Sequence, residues 1–294
     1  MRTRILPKML NDEVETYLEN NDIIIVPVGT VELHGGFPLD CETVISEAIA
    51  LRMAENCDGL VLTGLPYLYA GATTTGRGTV QVSVRQGMDY LYGIAESLYR
   101  QGFRRQIYIS FHGPAHITIC PVVRDFMDHY GVPILYLDLT MQLFKQAKHI
   151  FKSMDDFHAI TMGAYDIFGR LEDIPLTTEY EHQKESSVRK FSILKGLAYE
   201  SGAAGYYFGE KSDHMSTPSI STPERRQELA DRGKALICTL VEEMDMGNVV
   251  NCLKDLKEFQ DQVMEKYPWT PAAFYQHENK KDKNSRCISQ PSPL

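Results

Sequence analysis

Glu32, His34, Asp40 and Glu42 fall within one short stretch, PVGTVELHGGFPLDCET, over residues 27–43. Carboxylates and an imidazole form a mixed oxygen and nitrogen donor set that suits Zn²⁺ or Mn²⁺. Side chains alternate along an extended segment, so Glu32 and His34 project from the same face. Gly29, Gly35 and Gly36 let the backbone bend around whatever is bound. The competing reading is a polar loop whose acids and histidine only cap the helix that follows. A second stretch, ISFHGPAH, places His112 at the end of another apolar run, with His116 at the start of the next helix. His112 is a candidate ligand if the two runs are neighbouring strands, and otherwise a satisfied structural histidine. His116 reads as a supporting or packed residue.

The elements that must position these residues alternate in type. Ile23–Val28 is short, nearly all apolar and β-branched, as in a strand buried on both faces. Helical spacing follows over Thr43–Asn56, then strand-like Gly59–Leu65 and an amphipathic helix over Gly87–Gln101 closed by Gly102. Gln106–Phe111 predicts a strand, Ala115–Tyr130 a helix and Gly131–Leu137 another strand. This is the signature of βαβ units, hence an α/β fold with a mostly parallel sheet. Ligands in such folds bind beyond the carboxyl ends of strands, where both candidate loops lie. The pattern is mainly helical from Met141 to about Glu200, and Gly202–Gly209 reads as a loop or short strand. Thr222 and Pro223 cap and open a long helix to about Met244, and a last helix covers Val250–Lys266. Gln276–Leu294 is charged, rich in Ser and Pro and nearly free of apolar residues, which predicts a disordered tail.

Composition excludes several classes. The 294 residues are 43% hydrophobic and 23% charged, enough for a sizeable core. A net charge of −9 argues against a nucleic-acid partner, since Arg100, Arg104 and Arg105 are the nearest thing to a basic cluster. The six cysteines form no CxxC pair and read as reduced thiols in a cytoplasmic protein. MRTRILPKML lacks the apolar core of a secretory leader, and no run is long enough to cross a membrane. Neither GxGxxG nor GxxxxGK[ST] occurs, so no phosphate-binding loop is expected.

PVGTVELHGGFPLDCET resembles the first motif of the creatininase (creatinine amidohydrolase) family, P-x-G-S-x-E-Q-H-G-P-H-L-P-L-x-T-D-T, with one residue fewer. LPYLYAGATTTGRGTVQVSVRQ and ESLYRQGFRRQIYISFHGPAH resemble its next two motifs, and STPERRQELADRGKALI its C-terminal helix. The resemblance implies a three-layer α/β/α sandwich, one domain over residues 1–270, and a centre of one or two Zn or Mn ions. It carries metal ligation to Glu32, His34 and His112, and to Glu42 by exchange for the family's bridging Asp, with Asp40 in reserve. It also implies a homo-oligomer, often a hexamer, acting on a small-molecule substrate.

The family's H-A-G-E-x-E-T-S motif has two alignments. His158-Ala159 keeps its first two residues but has Thr161 and Gly163 at the acid positions; His182 with Glu185 and Ser186 keeps an acid. His158 and His182 are therefore the catalytic candidates, and Glu185 is the candidate further ligand. The implied function is a metal-dependent hydrolase opening a small cyclic or amide-like substrate with metal-bound hydroxide. An alternative is a carbon–carbon hydrolase opening a cyclic diketone of inositol catabolism, for which Thr73–Thr75 and Arg77 could supply hydroxyls and a cation. A second alternative is a non-catalytic small-molecule-binding protein with a degenerate metal site.

Overall fold

Ile23 and Ile25 point to one side of their strand and Ile24 and Val26 to the other, and each pair is buried in a different hydrophobic cluster. That alternation makes the sheet the middle of three layers. The computed structural model describes residues 1–177, 191, 205–215 and 218–276. Its strands are β1 (Ile23–Pro27), β2 (Leu60–Val61), β3 (Arg105–Ser110) and β4 (Leu135–Asp138). They form a parallel sheet in the order β2-β1-β3-β4. The longer helices are α1 (Asn11–Leu18), α2 (Cys41–Cys57), α3 (Val84–Gln101), α4 (His116–Tyr130), α5 (Met154–Ile167), α6 (Pro223–Met244) and α7 (Met246–Lys266). Helices α2, α5, α6 and α7 bury their apolar residues with Ile23 and Ile25, whereas α1, α3 and α4 do so with Ile24 and Val26.

The helix ends follow the chemistry expected of them. Ser83 accepts a hydrogen bond from the Gln86 backbone N–H at 3.3 Å, and Gly102 closes α3 at φ 112°. Thr222 accepts from Arg225 N–H at 3.2 Å, with Pro223 as the first residue of α6. Thr222→Ala should lower stability by about 1 kcal/mol, the usual cost of a lost N-cap. Urea unfolding would show this as a lower midpoint at unchanged slope.

β2 is shorter than the expected Gly59–Leu65. After Leu62 N–H bonds to Ile25 carbonyl at 3.0 Å, Gly64 turns the chain away at φ 90°. Leu65 carbonyl then accepts from Gly29 N–H at 3.0 Å, so the rest of this run braces the loop after β1. No helix among the described residues is long and apolar enough to cross a membrane.

The connections place the site. Helix α2 leaves β1 toward one face and α4 leaves the adjacent β3 toward the other. A crevice opens between two such strands at their carboxyl ends, the topological switch point of an open α/β sheet. β1 and β3 pair in register up to Pro27 and Ile109, so both candidate loops emerge side by side there.

Candidate metal centre

Both loops are fixed to α2. Gly29 passes so close to the helix that a Cβ would lie 2.1 Å from Thr43 Oγ1. Thr43 Oγ1 donates to Thr30 carbonyl at 2.7 Å, and Thr30 Oγ1 donates to Glu42 Oε2 at 3.0 Å. On the β3 side, Ser110 Oγ donates to Val28 carbonyl at 2.7 Å and accepts from His112 N–H at 3.1 Å. Ser46 Oγ donates to Glu42 carbonyl at 2.8 Å and accepts from Phe111 N–H at 2.9 Å. Small hydroxyl side chains thus lock Glu42 and His112 to one another through the backbone.

Glu32, His34, Glu42 and His112 meet in the crevice, and all four are buried. His112 Nδ1 lies 2.7 Å from Glu42 Oε2 and 3.0 Å from Glu32 Oε1. His34 Nδ1 lies 4.0 Å from Glu42 Oε1. The hydroxyl of Thr73, from the threonine-rich loop, donates to Glu32 Oε2. Thr75 and Arg77 of that loop face solvent.

The electrostatics divide the histidines. Burial opposes protonation of His112, but Glu32 and Glu42 outweigh it and raise its pKa well above the usual value. Burial also raises Glu32, yet the charge of His112 prevails and holds this carboxyl well below the ordinary range. Glu42 is pushed up, first by burial and then by repulsion from Glu32. His34 is pushed down to about 3, mainly by burial and then by neighbouring His214. Near neutral pH His34 is uncharged and keeps a nitrogen lone pair for a ligand.

The donor set fits a metal. Glu32 Oε1, His34 Nε2 and His112 Nε2 are buried without a hydrogen-bond partner, since the contact of Oε1 with His112 is not aligned for one. Buried polar atoms are rarely left this way, and a buried cluster of carboxylates and imidazoles that leaves three of them so suits a bound cation.

His214 was not legible in the sequence. It follows the turn Lys211–Asp213 and brings Nε2 to 3.2 Å from His34 Nδ1. Glu32, His34, Glu42 and His214 each present a ligand atom within 4.8 Å of the others. The one hint was a histidine beside an acid, in KSDHM, within a segment lacking apolar periodicity.

The remaining candidates separate. Asp40 accepts from Tyr165 hydroxyl and from Arg170 Nη1 at 2.8 Å, so it ties α2 to the end of α5 rather than joining the cluster. His116 donates from Nδ1 to Gly113 carbonyl at 2.9 Å. His158 is buried on α5 beside Phe37, with ring centroids 5.6 Å apart, while its neighbour Phe157 stacks on His34 at 5.6 Å. His158 also lines a cavity of 420 Å³ with Asp155, Ser219, Ser221 and Arg225. On the same helix, Thr161 donates to Phe157 carbonyl, and a Cβ on Gly163 would lie 2.5 Å from the Gly233 backbone. Helix α5 therefore has no room for an acid at position 163. His182 and Glu185 lie outside the described residues.

The creatininase (creatinine amidohydrolase) family model matches residues 7–164. A solved Bacteroides fragilis protein assigned as a creatinine amidohydrolase superposes with a TM-score of 0.62 at 17% identity, covering 85% of this chain and 98% of its own. Creatininase solved in a manganese form superposes at 0.53 and 17% identity, covering 83% of this chain and 99% of its own. The 3-dehydro-scyllo-inosose hydrolase of Thermotoga maritima is 28% identical over 137 residues. That match spans 45% of this chain and 42% of the relative's length. With the family match running over more than half of the 294 residues, the chain belongs to the creatininase family.

Proposed function

We propose that Glu32, His34, Glu42 and His112 hold divalent metal, Zn or Mn, and that the centre hydrolyses a small cyclic or amide-like substrate. The observation that carries this reading is the buried carboxylate and imidazole cluster with three unpartnered polar atoms. When bound, the metal would polarise the scissile carbonyl and acidify an attacking water. Thr73 and Thr30 hold the two carboxylates in place, and Phe157 supports the ring of His34. We assign to His158, buried on α5 next to the Phe157 that packs on His34, the transfer of a proton to the leaving atom, a role worth roughly 10²–10⁴-fold in rate. His182 is the competing candidate for that proton.

A second reading, opening of a cyclic polyol diketone, is supported by the Thermotoga relative's name and by the lining of the His158 cavity. Asp155, Ser219, Ser221 and Arg225 offer hydrogen bonds to hydroxyls. The one tryptophan, Trp269, is exposed. We read the working form as a homo-oligomer of the cytoplasm, to be checked by light scattering and by fractionation.

Screening the Zn- and Mn-loaded protein against cyclic amides, creatinine among them, and cyclic polyol diketones tests both readings. Turnover of one class selects between them. A fully loaded protein that turns over neither would leave a small-molecule-binding role. His158→Ala should slow turnover at least ~100-fold with metal retained; unchanged turnover would transfer the proton-donor role to His182.

A further inference from the structure

We infer that His214 is a metal ligand, joining His34 and Glu42 at the nitrogen-rich end of the dinuclear centre that the family resemblance implies. One position is carboxylate-rich, flanked by Glu32, Glu42 and His112. The other is nitrogen-rich, flanked by Glu42, His34 and His214. The inference rests on the metal-centre reading above but not on any substrate.

The two oxygens of Glu42 face different partners. Oε2 lies 2.7 Å from His112 Nδ1, which is also 3.0 Å from Glu32 Oε1. Oε1 faces His34 Nδ1 at 4.0 Å, and that nitrogen faces His214 Nε2 at 3.2 Å. Two imidazole nitrogens and a carboxylate oxygen around one point form a three-ligand set with a position to spare, as a reactive Zn²⁺ site needs. A carboxylate shared between two ions is the arrangement that holds a metal pair about 3.5–4 Å apart.

His214 is delivered there by its own segment. Phe208 N–H donates to Ala72 carbonyl at 3.1 Å, which docks the segment beside the loop that carries Thr73. The Asp213 carboxylate accepts from Gly209 N–H at 2.9 Å and Glu210 N–H at 3.1 Å, which shapes the turn just before His214. The ring of Phe208 packs on His214 with centroids 5.4 Å apart. The imidazole is thus held by contacts of its own segment, and such support is what gives a ligand its affinity.

Unlike donors imply unlike preferences. Imidazole-rich sites favour Zn²⁺, Co²⁺ or Ni²⁺, whereas carboxylate-rich sites accept Mn²⁺. The nitrogen-rich position should take Zn²⁺ in competition with Mn²⁺, and the other should exchange either ion.

Metal content after chelation and reloading, read by native mass spectrometry and elemental analysis without substrate, tests the assignment. Wild type should hold two ions, and one Zn²⁺ should remain when Mn²⁺ is in excess. His214→Ala should hold one ion, with the Zn²⁺ that resists Mn²⁺ bound at least ~100-fold more weakly. His214→Gln, which keeps most of the side-chain bulk, should behave alike if the alanine variant folds poorly. One ion in wild type, or equal stoichiometry and Zn²⁺ affinity in wild type and both variants, overturns the inference. A protein that shows the expected pattern yet turns over no substrate would sink the hydrolase reading alone.

Discussion

Glu42→Gln should abolish activity and weaken metal binding at least ~100-fold, while Asp40→Asn leaves metal content intact. The two acids are close in sequence, but their surroundings differ. Glu42 is buried, with Oε2 beside His112 and Oε1 facing His34, so its charge sits amid the candidate ligands. An amide keeps the shape but cannot neutralise a cation, and loss of outer-sphere partners alone already costs 10–100-fold in affinity. Asp40 is paired with Arg170 at 2.8 Å, with both side chains partly exposed. Such pairs contribute about 0–1 kcal/mol, and Asn can still accept from Tyr165. Thermal melts with and without Zn²⁺ separate the cases. Wild type and Asp40→Asn should gain ~2.7 kcal/mol when free metal is a hundredfold above its dissociation constant; Glu42→Gln at the same concentration should gain little. Equal metal-induced stabilisation in all three proteins would show that Glu42 does not ligate.

The apo form of Glu42→Gln is expected to fold. Burial and repulsion from Glu32 both disfavour the charge on Glu42, so an amide removes an electrostatic cost as well as a contact with His112. Glu32 remains 3.0 Å from His112 to balance the imidazolium.

What the sequence revealed follows from where the physical signal was local. Ile23–Pro27 and Arg105–Ser110 are legible because a doubly buried strand needs a nearly unbroken apolar run. Glu32, His34 and Glu42 are legible because they share one loop after such a strand. The meeting of His112 with them requires β3 to lie beside β1, a pairing that skips β2 and that no local pattern encodes. His214 is harder still: it approaches His34 from 180 residues away, by a turn whose shape depends on Asp213 and on docking to Ala72. The short β2 has a similar cause. Its run is apolar enough for a longer strand, but Leu65 is used to hold Gly29. Under the His158 alignment Gly163 stands where the family has an acid, and in the structure a packing requirement explains the glycine, since a Cβ there would lie 2.5 Å from the Gly233 backbone.

That requirement yields the second large effect. Gly233→Ala should cost roughly 3 kcal/mol or more and should loosen the metal centre without touching a ligand. Helices α5 and α6 cross at glycines: a Cβ on Gly233 would lie 1.8 Å from Ala159 carbonyl oxygen and 2.4 Å from its carbon. Both are backbone atoms, so no side-chain rotation relieves the clash and the helices must separate. Alanine gains about 1 kcal/mol over glycine in a helix interior, but forcing extra atoms into a packed core costs ~1–3 kcal/mol and more where backbone must move. Overpacking therefore wins. Gly93 in α3 supplies the control, because a Cβ there meets nothing within 4 Å. Gly93→Ala should instead stabilise by ~0.5–1 kcal/mol. The link to the site runs through α5, which carries Phe157 against the ring of His34 at 5.6 Å and His158 along the cavity wall. Moving α5 outward removes the support that fixes His34, so Zn²⁺ affinity should fall in Gly233→Ala and stay unchanged in Gly93→Ala. Chemical denaturation and metal titration of both variants measure the two effects. A Gly233→Ala protein as stable as wild type would mean that the two helices do not approach this closely in solution.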